Sequence, residues 1–251
     1  MARILKSETS LSTRRTGLMQ EMRMLRYVRW LELSGALILL LGGIGLWIWK
    51  DIHWLALVGA GLLFVWLGHH VKMQENELDA WTIGLGLEGE KGVTDGLAVG
   101  LDDRYLVLND VFIKFGRQRA QVDHVVIGPN GLFVIETKNW AGRIAGDENE
   151  SHWLYYHGQQ GASEYYNPIW QSRRQLKFVA RRLQEDGLDW PDRQVMVVMF
   201  ADEARWEIRN QTAPILRLAE VVPFIQKSSS SRTYGPAEID AAGQVLLRDH
   251  G

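Results

Sequence analysis

Three side chains in the stretch QVDHVVIGPNGLFVIETKNW, residues 121–140, have the types and spacing to act together: Asp123, Glu136 and Lys138. Between them, Gly128-Pro129-Asn130-Gly131 is a turn signal joining two β-like runs. If the chain reverses symmetrically there, Ile127 faces Leu132 and pairing continues outward at constant index sum. Asp123 then lies directly across from Glu136. Directly opposed residues project on one face with Cβ atoms about 4.5–5.5 Å apart. Lys138 and Gln121 share that face by strand parity. Two carboxylates so close repel unless something compensates. A hard divalent cation would do so, since magnesium prefers oxygen ligands and takes one or two carboxylates with water and substrate phosphate. It would polarise a phosphoryl oxygen and activate a water, while the lysine holds that water or offsets developing charge. The opposite parity turns His124, Ile135 and Thr137 to the other face, so His124 reads as a structural hydrogen-bonding residue rather than a base. A Glu-x-Lys pair alone is commonplace on solvated strands. Its apolar neighbours and the register of Asp123 set this one apart.

The elements that must position these residues follow from periodicity. Residues 84–101 hold Glu90, Val93, Leu97 and Leu101 at helical spacing. Strands are predicted at 105–110, 121–127 and 132–138. Residues 195–200, VMVVMF, form a continuous apolar run suited to a buried central strand. Between the third and fourth strands lies a helix with Asn167 as N-cap and Pro168 at N1; its apolar face is Leu176, Val179, Ala180 and Leu183. A strand at 215–218 and a helix through 221–225 complete the tail. The order is helix, three strands, helix, strand, which predicts a mixed α/β sandwich around one sheet.

This arrangement resembles the nuclease-related domain (NERD) family, a branch of the PD-(D/E)xK nuclease-like superfamily. The residues that carry the resemblance are Gly89-Glu90, Leu108-Asn109-Asp110-Val111, Gln121-Val122-Asp123-His124 and Gly131 through Asn139, GLFVIETKN. Gly142, Trp153, Asn167-Pro168 and Gln171 follow in order, and the likeness covers about residues 85–183. It implies a restriction-endonuclease-like core. It also implies Asp123 and Glu136 as metal ligands, Lys138 as the catalytic lysine and Glu90 as an auxiliary acidic ligand. Gln171 would reach the site from the second helix. Magnesium or manganese is the implied cofactor and nucleic acid, DNA before RNA, the implied partner.

Composition frames the rest. The chain has 251 residues, 46% hydrophobic and 23% charged, enough for one ordinary domain plus something extra. Without cysteine there is neither a thiolate zinc site nor a cysteine nucleophile. A net charge of −2 makes any phosphate-binding surface local. One such surface is the stripe Arg173, Arg174, Lys177, Arg181 and Arg182 on the polar side of the second helix, which could equally be an ordinary solvated face. Trp140 and Trp153 read as core or rim aromatics rather than base-stacking platforms.

Two uncharged runs, 33–49 and 54–68, are bracketed by tryptophans and rich in glycine. They predict a two-helix transmembrane hairpin at 30–69 that uses the lipid bilayer as partner. Arg3, Lys6, Arg14, Arg15, Arg23, Arg26 and Arg29 precede the first run. The positive-inside bias then places the amino terminus and the nuclease-like domain in the cytoplasm of a multi-pass cell-membrane protein. The expected organisation is a basic segment at 1–29, the hairpin at 30–69, a connector at 70–84, the nuclease-like domain at 85–200 and its extension at 201–251. The expected function is a membrane-anchored, metal-dependent phosphodiesterase acting on DNA. The alternative is a catalytically silent module that binds nucleic acid or protein.

Overall fold

The computed structural model describes residues 1–6, 17, 19, 20, 22, 24, 53–156 and 161–248. The chain divides into two compact units, one comprising residues 1–10 and 85–251 and the other residues 11–84. The first unit carries every candidate site residue.

Its main sheet has six strands in the order β1-β2-β3-β4-β8-β10. These are β1 (Arg3–Lys6), β2 (Leu106–Phe115), β3 (Gln118–Gly128), β4 (Gly131–Lys138), β8 (Arg193–Met199) and β10 (Ile215–Arg217). β2, β3 and β4 form an antiparallel meander, while β1, β8 and β10 join in parallel. Valines and isoleucines alternate between two cores because successive strand residues face opposite sides. Val125, Ile127, Leu132 and Val134 meet Val179 and Leu183 of α2 (Pro168–Glu185) and Ile239 and Leu246 of α4 (Pro236–Leu247). Val126, Phe133 and Ile135 meet Val93 and Leu97 of α1 (His53–Gly100) and Val221 and Ile225 of α3 (Leu218–Lys227). The apolar run in β8 is buried where β8 lies between β4 and β10.

The helix, three-strand, helix, strand order holds, but the single-sheet expectation does not. A second sheet of four strands, β7-β6-β5-β9, is built from β5 (Arg143–Asp147), β6 (His152–Tyr156), β7 (Ala162–Tyr166) and β9 (Arg205–Arg209). Most of it is inserted between β4 and α2, and it covers a third core of Ile144, Trp153, Ile169 and Val197. The buried Glu148 carboxylate fastens the β5–β6 turn to its surroundings. It accepts from the Thr212 and Ala213 N–H groups at 2.5 and 3.0 Å and from the Thr212 hydroxyl at 2.6 Å, and it pairs with Arg173.

The transmembrane hairpin and the multi-pass membrane location are corrected: no helix among the described residues is long and apolar enough to cross a membrane. The second predicted span, 54–68, is the start of α1, and the same helix runs on through His69, His70 and Lys72. Its uncharged stretch falls short of the roughly 17–25 residues a spanning helix needs. The first predicted span, 33–49, lies outside the described residues. The lipid-bilayer partnership loses its support with the hairpin.

A candidate nuclease-like site at the opened end of the hairpin

The hairpin β3–β4 keeps a constant register from Gly128–Gly131 through Ile127–Leu132 to His124–Ile135. There the ladder stops, one step short of Asp123 and Glu136. The Asp123 carboxylate itself accepts the Thr137 N–H at 2.8 Å. The neighbouring ladder breaks at the same level. β2 and β3 pair at Asn109–His124 and again at Val111–Val122, leaving Asp110 between them in a left-handed conformation (φ 54°). An aspartate tolerates this backbone better than a branched or bulky residue. Asp110 is buried and accepts from Gln121 Nε2 at 2.6 Å.

Two turns of α2 close over this opening. Asn167 caps the helix, accepting from the Ile169 and Trp170 N–H groups, and its own amide donates to the carbonyls of Glu148 and Glu150. Gln171 and Gln175, one turn apart, then face the strands. Lys138 Nζ donates to Glu136 Oε1 at 2.6 Å and to Gln171 Oε1 at 3.3 Å. Gln175 Nε2 donates to Glu136 Oε2 at 2.7 Å and to the Gln121 carbonyl at 3.0 Å, while its Oε1 is buried with no partner. Both oxygens of Glu136 are therefore held, and its side chain is only 2% exposed.

Glu90 arrives from α1. Gly89 makes that approach possible, because a Cβ there would sit 3.2 Å from Asn139 Cβ and 3.3 Å from Thr137 Cγ2. Asn139 ties β4 to the helix by donating to the Leu85 carbonyl at 2.9 Å. On this side of the sheet, Asn109 Oδ1 lies 2.8 Å from His124 Nδ1 and 3.2 Å from Thr94 Oγ1, and His124 Nε2 lies 3.2 Å from Thr137 Oγ1. Burial pulls the His124 pKa down to about 3, so the imidazole is neutral and fully engaged. It braces the strands and is not placed to act as a base.

The electrostatics are those of crowded acids. Burial pushes the Glu90 carboxyl up to about 7, aided by Asp110 and Glu136 and opposed by Lys138. Asp123 is raised well above the usual carboxylate range by burial and then by Glu136 and Glu90. Burial acts to lower the Lys138 pKa, but Glu136 and Asp123 outweigh it and keep the ammonium charged. Among the described residues no three acidic or histidine side chains converge into a ready-made cation cage. Glu90 is in electrostatic range of Asp110 and Glu136, and Asp123 of Glu136 and Glu90, with Lys138 beside them. Magnesium needs only one or two carboxylates, the remaining positions going to water and phosphate.

Asp123, Glu136, Lys138, Glu90 and Gln171 are thus brought to one neighbourhood, with Asp110, Gln121 and Gln175 added. Asp110 lies in Leu108-Asn109-Asp110-Val111, where its type alone assigns it no role, and Gln175 has no sequence signal beyond its place one turn after Gln171. The basic stripe is partly spent: Arg173 pairs with Glu148, Arg181 with Glu185, and Arg182 donates to the Lys114 carbonyl. That last contact brings the β2–β3 turn, with exposed Lys114, Arg117 and Arg119, beside exposed Arg174 and Lys177. The basic surface is therefore broader than one helix face.

Residues 85–199 match the family described as NERD, the nuclease-related domain. Over 100 residues the chain is 35% identical to an uncharacterized protein of Bacillus anthracis. That similarity covers 38% of this chain and 44% of the relative, so the chain spans less than half of the relative's length. No solved structure matches.

Proposed function

With a nuclease-related domain at residues 85–199 as the premise, we propose that this protein is a metal-dependent phosphodiesterase that hydrolyses DNA, with RNA the less favoured substrate. A nuclease-related domain suggests a nuclease-like function and nucleic-acid binding. The observation that carries the finer reading is the Lys138 ammonium, 2.6 Å from the buried Glu136 carboxylate at the level where both hairpin ladders open onto Asp123 and Asp110.

Asp123 and Glu136 would hold magnesium or manganese, with Glu90 as the auxiliary acid, and a bound ion would supply phosphoryl polarisation and a water of lowered pKa. The chain's own groups do the rest. Lys138 stays charged and can hold a water or offset charge on a phosphate oxygen. Gln171 fixes the ammonium, and Gln175 fixes the carboxylate beside it. Lys114, Arg117, Arg119, Arg174 and Lys177 offer cations to a phosphate backbone, whose binding falls with added salt.

The test is cleavage of single- and double-stranded DNA and RNA by the full chain, with magnesium or manganese. Glu136→Ala and Lys138→Ala are assayed alongside. Activity is expected in the wild type only, with a loss of about 100-fold or more in each variant, the scale of positioned acid–base and electrostatic groups. Equal activity in all three removes the catalytic assignment. Strand binding without turnover in the wild type leaves the non-catalytic binding module.

A further inference from the structure

Two residues beyond Lys138, Trp140 begins an aromatic cluster that phosphodiester chemistry alone does not use. Lys138 Nζ lies 5.7 Å from the Trp140 ring centroid. Trp140 stacks on Tyr155, with centroids 5.7 Å apart and planes 24° apart, and meets Tyr165 at 5.2 Å. Tyr155 and Tyr165 meet edge to face at 6.0 Å.

Strand alternation explains the alignment. Trp153 and Tyr155 share one face of β6, and Tyr165 of β7 is the register partner of Trp153. Exposure rises along this face. Trp153 is 1% exposed in the core, Trp140 and Tyr155 are half-buried, and Tyr165 at the sheet edge is 39% exposed. Glu164, next to Tyr165 in sequence, pairs with Leu154 and so projects on the opposite face, away from any anion on the aromatic side. An aromatic series that leads from a sheet edge to a charged lysine has the chemistry for unpaired bases. Stacking accepts every base through its π-face, and a cation stands beside the first ring. Bases inside a duplex are already stacked on one another and offer no such faces.

We propose that Trp140, Tyr155 and Tyr165 form a base-stacking platform that leads an unpaired nucleic-acid strand toward Lys138. The proposal rests on the nuclease-like reading and adds to it a preference for single-stranded substrate.

The test is equilibrium binding by the full chain in EDTA, read as fluorescence anisotropy. The probes are labelled oligothymidylate, oligouridylate, a blunt duplex and an abasic strand of equal length. The wild type should bind the natural strands about fivefold or more tightly than the abasic strand, the gain expected of a stacked base. Trp140→Ala and Tyr165→Ala should erase that preference and leave duplex affinity unchanged, whereas Tyr165→Phe should keep it. The two oligonucleotides separate a DNA source from an RNA source. Equal wild-type affinity for natural and abasic strands, or no binding of any strand, overturns the platform. So does a Tyr165→Ala variant that dissociates a dimer while its base preference persists, because the face would then belong to a second copy. Binding in EDTA does not require turnover, so the platform and the catalytic assignment can fail separately.

Discussion

Buried acids within range of one another resist ionising together, and this sets an expected pH response. The Glu90 value of about 7 lies above its unfolded value of 4.5. Its contribution to stability is therefore fully present below pH 4.5 and is lost as pH climbs through about 7. Glu148 works in the opposite direction. Burial would raise its pKa, but its Thr212, Ala213 and Arg173 partners hold it down to about 2, so its contribution is present above pH 4.5 and lost as pH falls toward 2. Metal-free protein should be most stable near about pH 5 in thermal unfolding and lose stability toward pH 8. Glu90→Gln should flatten the alkaline side of that profile. Added magnesium should raise the melting temperature at pH 8, and Asp123→Asn should abolish that rise; a melt insensitive to magnesium at every pH counts against a cation site. Asp123, Glu136 and Lys138 were legible in the sequence because a turn fixes register and parity fixes the face. Gln175 was not, since a glutamine on a helix looks the same whether it meets solvent or holds a carboxylate. The left-handed backbone of Asp110 was equally invisible, because it arises where two ladders break rather than from a local turn motif.

Among the elements, β3, β4, β8 and α2 announce themselves through a turn, an apolar run and a cap, and each of these signals makes a measurable demand. Asn167 is 0% exposed and joins four backbone groups, two as acceptor and two as donor. Asn167→Ala should cost about 1–2 kcal/mol or slightly more in urea denaturation. Gln171 and Gln175 should loosen with the helix start, so activity should fall by more than the stability loss accounts for. Gly131 has φ 127°, and a Cβ there would lie 2.8 Å from the Asp192 carbonyl oxygen. Gly131→Ala should therefore destabilise by more than about 1 kcal/mol; a variant as stable as wild type would show that the turn relaxes freely. The four-stranded sheet gave no comparable signal. Its strands are five residues each, β7 is exposed throughout, and β5 finds its parallel partner only at β9. Short strands paired across such separations are set by tertiary packing, which one-dimensional periodicity does not record.

On the scale of the whole chain, the segment before the amino-terminal apolar runs is part of the main sheet. Residues 3–6, whose sequence signal is the charge of Arg3 and Lys6, form β1, which pairs in parallel with Leu106–Asn109 and completes one edge of the main sheet. Ala2 and Ile4 pack on the core that includes Val93 and Tyr105, and Arg3 reaches Asp240 at 2.5 Å. A version lacking residues 1–69, the natural choice for isolating the domain, would strip this strand and leave the β2 edge unpaired. It should melt at a lower temperature than the full chain and self-associate in light scattering, as bare sheet edges do; identical behaviour would make β1 dispensable. The same pairing sets a timetable for biosynthesis. β1 leaves the ribosome about a hundred residues ahead of β2, a wait on the order of 5–20 s at ordinary translation rates. Until then the first strand of the sheet has no neighbour, and a chaperone or a fused amino-terminal tag that occupies residues 3–6 in that interval would compete with β2 for it.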